Sequence, residues 1–163
     1  MGQYHYIVNL DRKEFIHPHH LGDGLKLMEF GNGAGGTMTA LAILLAASNG
    51  RGGGDLHVDA SHPAVGRIGS WAGDRIAIVG DYAEDTDYPW NPAKDDRPSE
   101  VYGFCMRDQY RDLSADLCLL IEADGMYTFS KADWGGIERT STWSPPSSLR
   151  PDMTLSLKET PNA

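Results

Sequence analysis

Gly31-Asn32-Gly33-Ala34-Gly35-Gly36-Thr37-Met38-Thr39-Ala40-Leu41-Ala42-Ile43-Leu44-Leu45-Ala46-Ala47-Ser48-Asn49-Gly50 is the stretch on which the fold turns. A glycine-rich break is followed by Thr37, a good N-cap, then by an apolar run that Asn49 and Gly50 close. The pattern predicts a helix over 37–48. Its apolar residues cover every face, which predicts burial all round. Glycine is in excess over the whole chain, and 14 of the 19 glycines fall from Gly22 to Gly80. They cluster without a fixed period, so they mark turns and close backbone approaches rather than repeats.

Upstream, residues 4–10 are aromatic and β-branched and read as a strand. Asp11-Arg12-Lys13 makes a turn and 14–17 returns, giving an N-terminal β-hairpin. Residues 25–30 read as a third short strand. Downstream, 65–70 reads as extended, 75–79 as a buried strand, 101–106 as another strand and 126–129 as a short one. Residues 115–123 read as a second, shorter helix capped by Ser114. The expected fold is α+β: a mainly antiparallel sheet whose hairpin packs on one buried apolar helix. One domain over 1–140 is expected, followed by a Ser/Pro-rich tail over 141–163, partly ordered at most, in which 153–157 alternates like an edge strand.

The net charge is −9 and the basic residues are scattered. Such a chain repels a phosphate backbone, so direct nucleic-acid binding is disfavoured. The apolar run at 38–47 is far too short to span a membrane, and no signal-like segment opens the sequence. Cys105 and Cys118 form no C-x-x-C pattern, which suits a reducing, cytoplasmic compartment and buried thiols.

The opening Met-Gly-Gln-Tyr with Ile-Val-Asn-Leu-Asp, then Gly-Asp-Gly-Leu-Lys-Leu-Met-Glu-Phe, then Trp-Ala-Gly-Asp-Arg-Ile-Ala-Ile-Val-Gly-Asp-Tyr, resembles a group of small bacterial and phage proteins. The resemblance covers about residues 1–82. It implies a bacterial or phage cytosolic setting, where binding of a signalling nucleotide or a host protein is a fitting role. It carries no residue roles across.

Four constellations could carry chemistry. Gly33, Gly35, Gly36 and Thr37 open the helix, where free N–H groups and the helix dipole favour an anion. The P-loop lysine is missing, since Thr37 follows Gly36 directly, so triphosphate hydrolysis is not indicated. The bland alternative is a hinge that admits a buried helix. Arg51, Asp55 and His57 lie on the second glycine loop, where Arg51 could clamp a phosphate or carboxylate. The two loops sit at opposite ends of a helix roughly 18 Å long. They are not expected to meet over one small ligand within one subunit, although a large ligand or a homo-oligomer could connect them. All six histidines fall in the first 62 residues, and His17-Pro18-His19 is extended. A divalent metal on His17, His19, Asp55, His57 and Asp81 is therefore the basis of an alternative, a metal-dependent hydrolase. Lastly, residues 81–100 hold seven acids against two bases. This run reads as a solvated face, a metal site, or a docking surface for a basic host protein in an inhibitor or immunity-type role.

The four tryptophans lie near polar or glycine-rich segments, where they could stack on a base, and Trp71 joins the ligand-binding candidates. No nucleophile motif is present. The sequence thus points to a non-enzymatic module that binds a small anionic ligand, in the first place a nucleotide. Its candidate residues are Gly33, Gly35, Gly36, Thr37, Arg51, Asp55, His57, Trp71 and Asp81, and no cofactor is favoured.

Overall fold

A computed structural model of the chain describes residues 2–142. The expected edge strand at 153–157 lies outside them. Strands β1 (His5–Asn9) and β2 (Glu14–Ile16) form the expected hairpin, paired antiparallel through Ile7 with Ile16 and Val8 with Phe15. Its turn is held by Asn9, whose Oδ1 accepts the N–H groups of Asp11 and Arg12. This is an Asx turn of the kind Asn favours. Pro18 then starts a tight 3-10 turn, Pro18–Leu21, which ends at Gly22 with φ 78°.

Among the described residues four helices follow: α1 (Leu27–Phe30), α2 (Thr37–Leu45), α3 (Pro98–Met106) and α4 (Ser114–Ala123). They alternate with β3 (Ile76–Gly80), the two-residue β4 (Arg111–Asp112), β5 (Tyr127–Lys131) and β6 (Ile137–Ser141). The main sheet has the order β3-β1-β2-β4; its β1–β2 and β1–β3 pairs are antiparallel and the short β2–β4 pair is parallel. The chain is therefore α+β with a mainly antiparallel sheet, and β5–β6 forms a separate hairpin.

The strand faces explain the layering. Ile7 and Ile16 turn to one side, where they meet Ala40 and Leu44 of α2 and Leu117, Leu120 and Ile121 of α4. Tyr6, Val8, Phe15 and Val79 turn to the other side, against Val101 and Cys105 of α3. The sheet is covered on both faces, so β1 is a nearly continuous apolar run rather than an alternating one.

Several expected elements differ. Residues 25–30 hold helix α1 instead of a strand, because the Glu29 carboxylate reaches back to the Lys26 N–H. Residues 101–106 lie in α3: Pro98 sits in the first turn, where its missing N–H costs nothing, and Glu100 suits the positive helix end. Residues 65–70 begin with a 3-10 turn, Val65–Arg67, rather than an extended segment. Helix α2 stops at Leu45, short of residue 48, and Gly36 rather than Thr37 is its N-cap. It is not buried all round, since Met38 is 36% and Leu45 42% exposed. Helix α4, at 10 residues against 9 for α2, is the longer of the two helices expected from sequence.

Candidate functional site

The glycine turn before α2 does hold an anion, and that anion is the protein's own Asp23. Asp23 Oδ2 accepts the Thr37 N–H at 2.8 Å and the Thr37 hydroxyl at 2.7 Å. Its Oδ1 pairs with Arg139 Nη1 of β6 at 2.9 Å, and the Asp23 side chain is only 4% exposed. The glycines make room for this pair. A Cβ on Gly36 would collide with both Arg139 and Asp23, and one on Gly33 would sit 2.8 Å from Arg139 Nη2. At Gly35, with φ 77°, it would sit 2.5 Å from the Tyr127 ring. Gly33, Gly35, Gly36 and Thr37 thus face side chains of the protein itself, and the helix dipole is satisfied from within.

The second glycine loop is also self-satisfied. Asp55 Oδ2 accepts the N–H groups of Gly50 and Gly52, which hold this carboxyl below its ordinary range. Two hydrogen bonds between Asn49 and Leu56 close the loop and fold it back along α2. Gly54 and Asp55 consequently share a small groove with Thr39, Ile43 and Tyr127. Tyr127 thus borders both glycine segments, one at Gly35 and the other at Gly54. Arg51 and His57 are exposed.

Trp71 is fully buried in the core, its indole N–H donating to Glu14 Oε1 at 3.1 Å, so it offers no stacking face. Asp81 is exposed beyond β3, where its Oδ1 accepts the Tyr4 N–H. Among the described residues, no group of three or more His, Cys, Asp or Glu side chains converges as a metal site would require. The acidic stretch uses its charge internally. Asp85 and Asp87 accept backbone N–H groups, Asp95 takes a two-pronged contact from Arg75, and Asp96 accepts the Tyr110 hydroxyl.

A different cluster stands out where β2 runs into the Pro18–Leu21 turn. The His17 and His20 rings stack at 4.0 Å, and Tyr6 lies against His17 at 4.9 Å. His20 Nδ1 donates to Asp112 Oδ2 of β4 at 2.7 Å, which fixes the tautomer and raises the imidazole above its ordinary pKa. Burial pushes Asp112 up, but His20 and the Ser114 hydroxyl and N–H outweigh it and hold the carboxyl down. His17 is the opposite case. Burial, with the neighbouring His20 charge, brings it down to about 4, and its Nδ1 is buried with no hydrogen-bond partner among the described residues.

Beside these rings the β5–β6 hairpin leaves a cleft of about 640 Å³, walled by His17, His19, His20, Lys131, Trp134 and Ile137. Trp134 is 73% exposed, its indole folded over Gly136 where a Cβ would collide with it. A second cleft of about 440 Å³ adjoins it and shares His20, Lys131 and Ile137; its other walls include Leu119, Phe129 and Cys118. Burial pushes the Cys118 thiol up to about 12, so it is a neutral wall group and not a nucleophile.

His17 and His19 were legible as a pair in the sequence, but the residues that give them chemical meaning were not. Asp112, Lys131 and Trp134 lie far along the chain. The one local signal was Trp134-Gly135-Gly136, an aromatic on a glycine turn. Comparison of the chain with protein-family models, curated proteins and solved structures found no match.

Proposed function

We propose that this protein is a non-enzymatic binding module for a small anionic ligand with a planar ring, in the first instance a nucleotide, held in the cleft of His19, His20, Lys131 and Trp134. One observation carries the reading. In a chain of net charge −9, the walls of this cleft carry three histidines and a lysine and, among the described residues, no carboxylate, beside a tryptophan that is 73% exposed. The Lys131 ammonium and imidazole N–H donors beside an exposed indole suit a phosphate joined to a base. The reading keeps the ligand class that the sequence suggests and moves it from the glycine turn to the histidine turn. It also fits the bacterial or phage cytosolic setting implied by the resemblance of residues 1–82.

Titration calorimetry with mono-, di- and cyclic nucleotides, and with inorganic phosphate alone, tests it. At least one nucleotide binds more tightly than phosphate. Lys131→Ala and Trp134→Ala each weaken binding by about tenfold, as expected from loss of a charged contact or a stacked base, while Arg51→Ala leaves it unchanged. No heat and no thermal shift across the whole panel would sink the proposal. His20 held by Asp112 is also the arrangement of a general base. On the binding reading any bound nucleotide is nonetheless recovered intact, and turnover would replace that reading with an enzymatic one.

A further inference from the structure

The two clefts share three side chains, Lys131, Ile137 and His20, the last hydrogen-bonded to Asp112. On one side of that junction stands the exposed indole of Trp134. On the other is a chamber walled by Ala115, Leu119, Phe129 and Ile137, with Leu119 45% exposed into solvent. A ligand that ended at its phosphate would leave this second chamber empty and its apolar walls wet, at a cost in buried surface.

Resting on the binding function proposed above, we infer that the ligand is a dinucleotide: two planar bases flanking phosphate, with the phosphate at the His20–Lys131 junction, one base on Trp134 and the other against Leu119 and Phe129. The chamber walls favour a base over an alkyl chain. Glu122, Ser130 and Asp112 set polar atoms among the apolar groups. Glu122 Oε1 accepts the Phe129 N–H at 2.8 Å, which holds this carboxylate at the chamber wall, where an exocyclic amine could donate to it. Carboxylate oxygens can each accept a further hydrogen bond, so the amine edge of a base finds acceptors on this wall that a hydrocarbon tail cannot use. Joining the two halves through one phosphate also makes the second contact intramolecular, which raises affinity without any new group on the protein.

The test is calorimetry with three probes on the full chain: AMP, the linear dinucleoside monophosphate ApA, and a cyclic dinucleotide. A dinucleotide, linear or cyclic, binds at least about tenfold more tightly than AMP, the scale of gain that linkage supplies. Leu119→Asn, at an exposed position, takes away the apolar wall without adding a charge beside the phosphate. It lowers the ratio of dinucleotide to AMP affinity to near one, with an unchanged melting temperature as the folding control. Trp134→Ala weakens all three. Equal binding of AMP and both dinucleotides, or an affinity ratio that Leu119→Asn does not change, overturns the inference while leaving the binding function in place. Tighter binding of an acyl-nucleotide than of either dinucleotide also overturns it, assigning the chamber to a hydrocarbon. Failure of every nucleotide to bind removes the function and the inference together.

Discussion

His17 and His20 sit in ring contact, yet their environments push their protonation in opposite directions. His17 is faced by Tyr6, Phe15, His19 and His20, with Asp112 nearby, and none of these gives its buried Nδ1 a partner. Its folded pKa of about 4 lies below the ordinary 6.5, so the unfolded chain takes up this proton first as pH falls. The stability that neutral His17 protects is complete above 6.5 and is lost between 6.5 and about 4. Allowing for the ring's partial exposure, the loss is about 2 kcal/mol. His20 acts with the opposite sign. Its raised pKa gives stability that is full below the ordinary value and fades as pH rises through the folded one. Urea denaturation from pH 7 to pH 4 should therefore show an acid limb that His17→Phe removes. Proton NMR should place the His17 inflection near 4 and that of His20 above 6.5.

At the scale of elements, the two glycine clusters have different jobs. Gly35 has positive φ and a ring against its α-carbon, while a Cβ on Gly53 would meet open space. Gly35→Val should cost about 3 kcal/mol or more, combining a strained backbone with displacement of Tyr127 from the start of β5. Gly53→Ala should stay within about 0.5 kcal/mol of wild type, as surface changes do. Thermal denaturation of the two variants separates the roles, and equal effects would refute the distinction.

Local signals explain which elements could be read from sequence. The hairpin announced itself through Tyr6, Ile7 and Val8 and the turn after Asn9; β3 did so through Ile76, Ile78 and Val79. Helix α3 was hidden because Val101, Tyr102 and Phe104 favour strands, although Pro98 and Glu100 were helix-start signals that outweigh them. The glycine turn was legible as an anion site. Its occupant was not, because Arg139 lies 116 residues beyond Asp23 and no local pattern pairs them. The histidine cleft was half legible for the same reason: its turn is local and its walls are not.

For the molecule as a whole, the negative charge is organised rather than spread. Asp95 binds Arg75 through two oxygens and also accepts the Asn91 N–H, and both contacts hold its carboxyl far below the usual range. Asp95 thus ties the acidic segment to the residue that precedes β3. Asp95→Ala should free that segment and speed amide hydrogen exchange over residues 91–97 relative to wild type; mass spectrometry of a timed exchange reads the difference. The same internal use of Asp85, Asp87, Asp95 and Asp96 bears on any basic partner. Reversing those four charges would disturb the loop itself, so Glu84 and Glu100 are the cleaner positions at which to probe docking.

The order of strands in the main sheet has a consequence for how the chain is made. β1 and β2 emerge together from the ribosome and can close at once, but β3 starts 60 positions after the end of β2 and β4 follows later still. Until then the hairpin carries apolar side chains on both faces, Ile7 and Ile16 on one and Tyr6, Val8 and Phe15 on the other. With domains made at about 5–20 residues per second, that interval lasts several seconds. A nascent chain stalled before Ile76 lacks both β3 and α3 and presents a sticky ribbon, a natural client for a chaperone that waits at the tunnel exit.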